Sequence, residues 1–119
     1  MGDFTKLEIW IKAHELTLKV YALTSKLPKS ELFVLTSQLR RAAISVESLI
    51  AEGESRYTMP DKLKFFIDSR ASAAECECQL LIVKDVYENL SQEAVKLRAE
   101  YNALGKQINS LISYRRKNG

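Results

Sequence analysis

Two cysteines, one histidine and a few carboxylates spaced near arginines are the residues in this sequence whose types could support chemistry. Cys76 and Cys78 form a lone C-x-C. In a helix, positions two apart differ by roughly 200° of rotation, so these thiols cannot bridge each other, and no further ligands accompany them to hold a metal. They read as two small buried apolar residues in a reducing cytosol. His14 is the only histidine, and Ile11 stands three before it, so the Glu-x-x-His pair of di-iron bundles is missing. No histidine follows any arginine, which excludes the helical ribonucleases that use an Arg with a His a few residues later. His14 therefore reads as a packing or hydrogen-bonding residue.

Gly2, Gly53, Gly105 and Gly119 are scattered singly, so no glycine-rich phosphate cradle exists, and the serines lack a partner base. A carboxylate-only site would have to use Glu52, Glu75 or Glu77, near mid-helix together with Gln38, Arg41 and Arg70. The simpler expectation is a structural network in which Arg41 or Arg70 pairs with Glu52 or Glu75 and fixes helix register. No catalytic residue, metal, cofactor or small-molecule substrate is expected.

The elements that must carry these residues follow from composition and periodicity. The chain has 119 residues, 46% hydrophobic and 28% charged, with 4 Gly and 2 Pro, too little turn chemistry for a multi-stranded sheet. One mostly helical domain is expected. The start has no apolar signal-peptide core, Lys6 occupies the position where a myristoylation signal needs Ser or Thr, and no apolar run reaches membrane-spanning length.

Four stretches carry apolar residues in steps of three and four, predicting helices over about 5–27, 31–54, 61–88 and 92–116. The first seam is Ile9, Ala13, Leu16, Val20, Leu23 and Leu27; the second is Leu32, Leu35, Leu39, Ala42, Val46, Leu49 and Gly53, whose small residues suggest a close helix approach. Ser30 reads as the N-cap of the second helix and Thr58 or Pro60-Asp61 as the opening of the third. The third shows two stripes, Phe66, Ala73, Cys76, Leu80, Val83 and Tyr87 beside Leu63, Ile67, Ala74, Cys78 and Leu81, and so reads as buried on a broad face. Short links predict an all-α, antiparallel up-down-up-down four-helix bundle, with subunit-swapped helical hairpins as the alternative.

Charge is more informative by segment than in total, which is only +3. The excess is +2 over 1–30, −1 over 31–59, −2 over 60–90 and +4 over 91–119. Helices one and four are neighbours in such a bundle, so Lys6, Lys12, Lys19, Lys106, Arg115, Arg116 and Lys117 are expected on one basic side, able to meet phosphates or the acidic side of another copy. Helix one also carries more apolar surface than one contact needs, and Trp10, Ile11 and Tyr21 are the candidate oligomer interface.

The string Leu35-Thr36-Ser37-Gln38-Leu39-Arg40-Arg41-Ala42-Ala43-Ile44-Ser45-Val46, closing on Ile50-Ala51-Glu52-Gly53, resembles the hallmark of the four-helix proteins encoded in bacterial 23S ribosomal RNA intervening sequences. Leu7-Glu8-Ile9-Trp10 with Ala13-His14-Glu15-Leu16, and Phe65-Phe66, Arg70, Ser72, Glu75 and Gln79-Leu80, are similar to that family's first and third helices. Glu47, Leu49 and Ala71 depart from its usual Pro, Asn and Gly. The resemblance implies a bundle assembled into a homo-oligomeric ring, typically a pentamer, kinship with retroelement accessory proteins that bind a reverse transcriptase and nucleic acid, and no enzymatic activity. It also implies that Gln38, Arg40, Arg41, Glu52, Arg70 and Glu75 form the polar motif, read as bundle and interface determinants. The sequence thus points to a cytoplasmic, non-enzymatic homo-oligomer that binds RNA or a ribonucleoprotein partner by its basic side; the alternative is a protein scaffold without nucleic-acid binding.

Overall fold

A computed structural model of the chain describes residues 2–118. Four helices, α1 (Glu8–Thr24), α2 (Ser37–Glu54), α3 (Met59–Val86) and α4 (Ser91–Asn118), form an all-helical bundle with no strand among the described residues. The connections between helices are short, so neighbours run antiparallel and α4 closes back on α1 in a rod of 45 × 21 × 20 Å. Ile9, Ala13, Leu16, Val20 and Leu23 of α1 meet Leu39, Ala43, Val46 and Ile50 of α2, Phe66, Cys76 and Leu80 of α3, and Leu97, Tyr101, Leu104 and Ile108 of α4 in one core. Each fully buried Leu, Ile or Val there contributes about 1.5–3 kcal/mol of transfer free energy.

Local chemistry sets the helix ends. Asp3 caps a 3-10 turn (Phe4–Lys6) by accepting from the Thr5 amide at 3.0 Å, and α1 begins only after it. Pro28 lies within the first connection and precedes a 3-10 turn, and the second helix does not start at Ser30 as its N-cap chemistry suggests. A 3-10 turn (Lys29–Glu31) and a π-helical turn (Leu32–Thr36) come first, and regular α-helix begins at Ser37. The wider π turn brings Leu35 and Thr36 inward while leaving Leu32, Phe33 and Val34 exposed, so the seam expected at Leu32 starts one turn later. Thr58 caps α3, its hydroxyl accepting from the Asp61 amide, with Pro60 in the first turn.

At Gly53 α2 packs tightly against α3: a Cβ there would lie 2.9 Å from Phe66 Cε1 and 3.0 Å from Phe65 Cβ. Ser69 Oγ donates to the Val46 carbonyl at 2.7 Å and Ser45 pairs with Ser72 at 2.9 Å along the same contact. The broad apolar face expected on α3 is narrower than its pattern. Ala74 and Cys78 are exposed and Ile67 and Leu81 half-buried, so of that stripe only Leu63 is fully in the core. Cys76 is buried and Cys78 is not, which corrects the reading of both as core residues.

Candidate functional site

The antiparallel arrangement puts the start of α1, the α2–α3 connection and the last turns of α4 at one end of the rod. That end carries Lys6, Arg56, Lys64, Arg116 and Lys117, with Lys106 two to three turns inward on α4. Lys6, Lys64, Lys106, Arg116 and Lys117 are exposed and make no ion pair among the described residues. Arg56 lies 4.4 Å over the Phe65 ring and within 3.7 Å of Glu52. Tyr57, beside it in the connection, is 87% exposed.

The other basic residues expected on this surface have internal partners. Lys12 and Lys19 both reach Glu100 of α4, Lys12 at 3.2 Å and Lys19 at 2.9 and 3.1 Å; Lys26, not among the residues expected there, likewise reaches Glu93 at 2.8 Å. The seven-residue spacings, Lys12-Lys19-Lys26 against Glu93-Glu100, make a ladder along the α1–α4 seam. Burial pushes the Glu100 carboxyl up, but hydrogen bonds from Lys19 and Lys12 outweigh it and hold the group below the usual carboxylate range. Arg115 is also internal: it grips Glu54 through Nη1 at 2.8 Å and Nη2 at 3.4 Å, with its guanidinium 5.1 Å from the Phe66 ring. Lys62 completes the cluster by donating to the Glu54 carbonyl at 2.7 Å. The expected basic side is thus corrected to a basic end, with Lys12, Lys19 and Arg115 acting within the bundle.

Sequence reasoning passed over Glu54, Arg56, Tyr57 and Lys64. Glu54 had a signal, since it stands four after Ile50 on the core side of α2, where a carboxylate needs a cation. Arg56-Tyr57, a cation and an aromatic in a two-helix connection, was another.

The polar motif residues are dispersed rather than networked. Arg40 Nε donates to Thr24 Oγ1 at 2.8 Å and its guanidinium covers Tyr21 at 4.4 Å, tying α2 to α1. Arg70 donates to Asn109 at 2.6 Å, while Gln38, Arg41 and Glu75 are exposed. Neither Arg41 nor Arg70 pairs with Glu52 or Glu75 among the described residues: on neighbouring antiparallel helices these positions lie on outward faces. Glu77, the third carboxylate considered, pairs with Arg98 at 3.1 Å.

Of the interface candidates, Trp10 is half-buried, edge-on to Phe4 at 5.2 Å and stacked on His14 at 4.9 Å, whereas Ile11 and Tyr21 are exposed. Leu18 on α1 and Ile44 on α2 join them as exposed apolar residues on adjacent helices. His14 also meets Glu47 at 3.1 Å, the packing and hydrogen-bonding role expected of it.

The buried nucleophiles offer no chemistry. Burial pushes the Cys76 thiol up to about 12, so it is protonated at neutral pH, and burial beside Cys76 pushes the Tyr101 hydroxyl up as well. Tyr101 makes no hydrogen bond of ordinary geometry, the thiol facing it being a weak partner. Among the described residues no group of His, Cys, Asp and Glu is arranged to hold a metal and no helix is long and apolar enough to cross a membrane.

A protein-family model described as 23S rRNA-intervening sequence protein matches residues 5–110. The fold is also similar to a solved structure, a protein of unknown function from the S23 ribosomal protein family of Bacteroides thetaiotaomicron, with a TM-score of 0.79. That likeness covers 87% of this chain and 97% of the other at 18% identity, which speaks for the fold alone. No curated protein matches the sequence.

Proposed function

The chain belongs to the 23S rRNA-intervening sequence protein family, and from that premise we propose that it is a non-enzymatic, self-associating bundle that binds RNA or a ribonucleoprotein partner through its basic end. The observation that carries this reading is the set Lys6, Lys64, Lys106, Arg116 and Lys117, exposed and without carboxylate partners among the described residues, whereas Lys12, Lys19, Lys26 and Arg115 each pair with a carboxylate of a neighbouring helix. Unpaired cations on one surface attract a phosphate backbone, and each phosphate contact releases counterions on binding.

Fluorescence anisotropy with ribosomal RNA fragments across a salt series tests it. Affinity should fall steeply as salt rises, and Arg116→Gln with Lys117→Gln should reduce the salt slope by roughly two. Absence of binding at low salt, or binding indifferent to salt, overturns the reading.

Self-association, with the copy number of five that the family resemblance implies, is proposed on the exposed apolar residues Ile11, Leu18, Tyr21 and Ile44 of α1 and α2. Light scattering should report a mass near five times the 13.5 kDa of one chain, and a monomer at micromolar concentration refutes it. The same residues favour a second reading, a scaffold that recruits a protein partner, which a pull-down surviving nuclease treatment would support. The proposed setting is the cytoplasm, in keeping with two free cysteines.

A further inference from the structure

The basic end differs from an ordinary cationic surface in having an aromatic ring in its midst and an apolar groove beside it. The four residues between α2 and α3, Ser55 to Thr58, lift Tyr57 almost completely into solvent. Its neighbours in the chain are held on both sides: the Arg56 guanidinium lies 4.4 Å over the Phe65 ring, and Thr58 caps α3. Next to this connection runs a groove of about 480 Å³ between α3 and α4, floored by Met59, Pro60, Leu63 and Ile67. Lys64 and Arg116 also line it, as do Arg115, already committed to Glu54, and Asp68, about two turns further along α3 from the connection.

A-form duplex RNA presents phosphates and 2′-hydroxyls, with its bases stacked inside, and has nothing to put against an exposed ring or into an apolar groove. An unpaired strand offers both a base face and a backbone that bends around it. We infer that the basic end is built for single-stranded RNA, with a base stacked on Tyr57, a second base or sugar in the Met59–Ile67 groove, and the intervening phosphates on Lys64 and Arg116. Asp68 repels phosphate at the far end of the groove, so the strand enters from the Tyr57 side.

This inference rests on the RNA-binding reading and fails separately from it. The experiment titrates the full chain and its Tyr57→Ala and Tyr57→Phe variants against a labelled unstructured oligouridine and a blunt RNA duplex of equal length at low salt. The wild type should prefer the single strand. Tyr57→Ala should weaken single-strand binding roughly tenfold and leave duplex binding unchanged, while Tyr57→Phe, which keeps the ring face, should bind as the wild type does. Circular dichroism should show both variants as helical as the parent, since Tyr57 lies outside the core. If single strands bind but Tyr57→Ala binds them equally well, or duplex binds as tightly as single strand, the stacking inference is overturned and RNA binding stands. If neither RNA binds, both fall; displacement of oligouridine by polyglutamate at equal charge also overturns the inference, because charge alone then explains the surface.

Discussion

Glu54 and Glu100 each stand between two cations, yet they hold the bundle together in different ways. Glu54, with only 11% of its side chain exposed, is gripped by both Nη atoms of Arg115, itself backed by the Phe66 ring, and lies 3.9 Å from Lys62. Glu100 is engaged by Lys12 and Lys19, whose side chains are 34% and 50% exposed. A planar guanidinium locked against an aromatic ring has lost its freedom and its water together, whereas lysines on a seam keep both. The contrast sorts the basic residues by neighbours rather than by number: cations that reach a carboxylate or another acceptor across a helix seam serve the fold, as Arg40 does through Thr24, and the exposed cations of the basic end reach none among the described residues.

The largest expected effect comes from removing the Glu54 carboxylate. Glu54→Ala leaves Arg115 largely covered without its counter-charge and should cost about 3 kcal/mol, read as a lower urea midpoint by helical circular dichroism. The double variant Glu54→Leu with Arg115→Met, which replaces the pair by apolar groups of similar volume, should recover most of that loss. Equal destabilisation by the single and double variants would show that the site is held by packing, and the contrast with Glu100 would collapse.

The two ends of this contrast also differ in how closely backbone approaches side chain, and two glycines measure that with opposite signs. Gly53→Ala, one residue from Glu54, drives a methyl into Phe66 and should cost about 1–3 kcal/mol. Gly105→Ala, five residues beyond Glu100 on α4, meets nothing within 4 Å and should stabilise the helix by about 0.8–1 kcal/mol. Thermal melts of the two variants check both signs together. A stabilising Gly53→Ala would mean that α2 and α3 have slack at this end.

Much of this was legible in the sequence because apolar periodicity is a local property that survives folding. The seams of α1 and, from Leu35 on, of α2 are read directly from residues three and four apart, and Gly53 lies among its neighbours as a close-approach glycine should. Ion-pair partners were not legible in the same way. The pairing of Lys19 with Glu100, or Arg115 with Glu54, depends on the axial stagger of helices distant in sequence, which no periodicity encodes. The π turn over Leu32–Thr36 escaped for a related reason, since Leu32 fits the three-four alternation and only the wider turn exposes it. Tyr57 escaped because an aromatic in a connection acquires meaning only once the helix ends around it are known to be cationic.

The smallest stability effect belongs to Glu100, and pH separates it from Glu54. The lysines hold its carboxyl below the ordinary 4.5, so the native state binds this proton less readily than the unfolded chain does. Its contribution is therefore fully present above the unfolded value and is lost as pH falls through the lower folded one. Glu100→Gln should cost only about 0.5–1 kcal/mol at pH 7, since lysines this exposed are well solvated, and the cost should shrink in 1 M salt. As pH falls through that lowered folded value the variant and the parent should converge in urea midpoint, because protonation removes in the parent the charge that the substitution removes outright. A gap that persists unchanged into acid would assign Glu100 a packing role instead, and would place it with Glu54 among the carboxylates the core cannot spare.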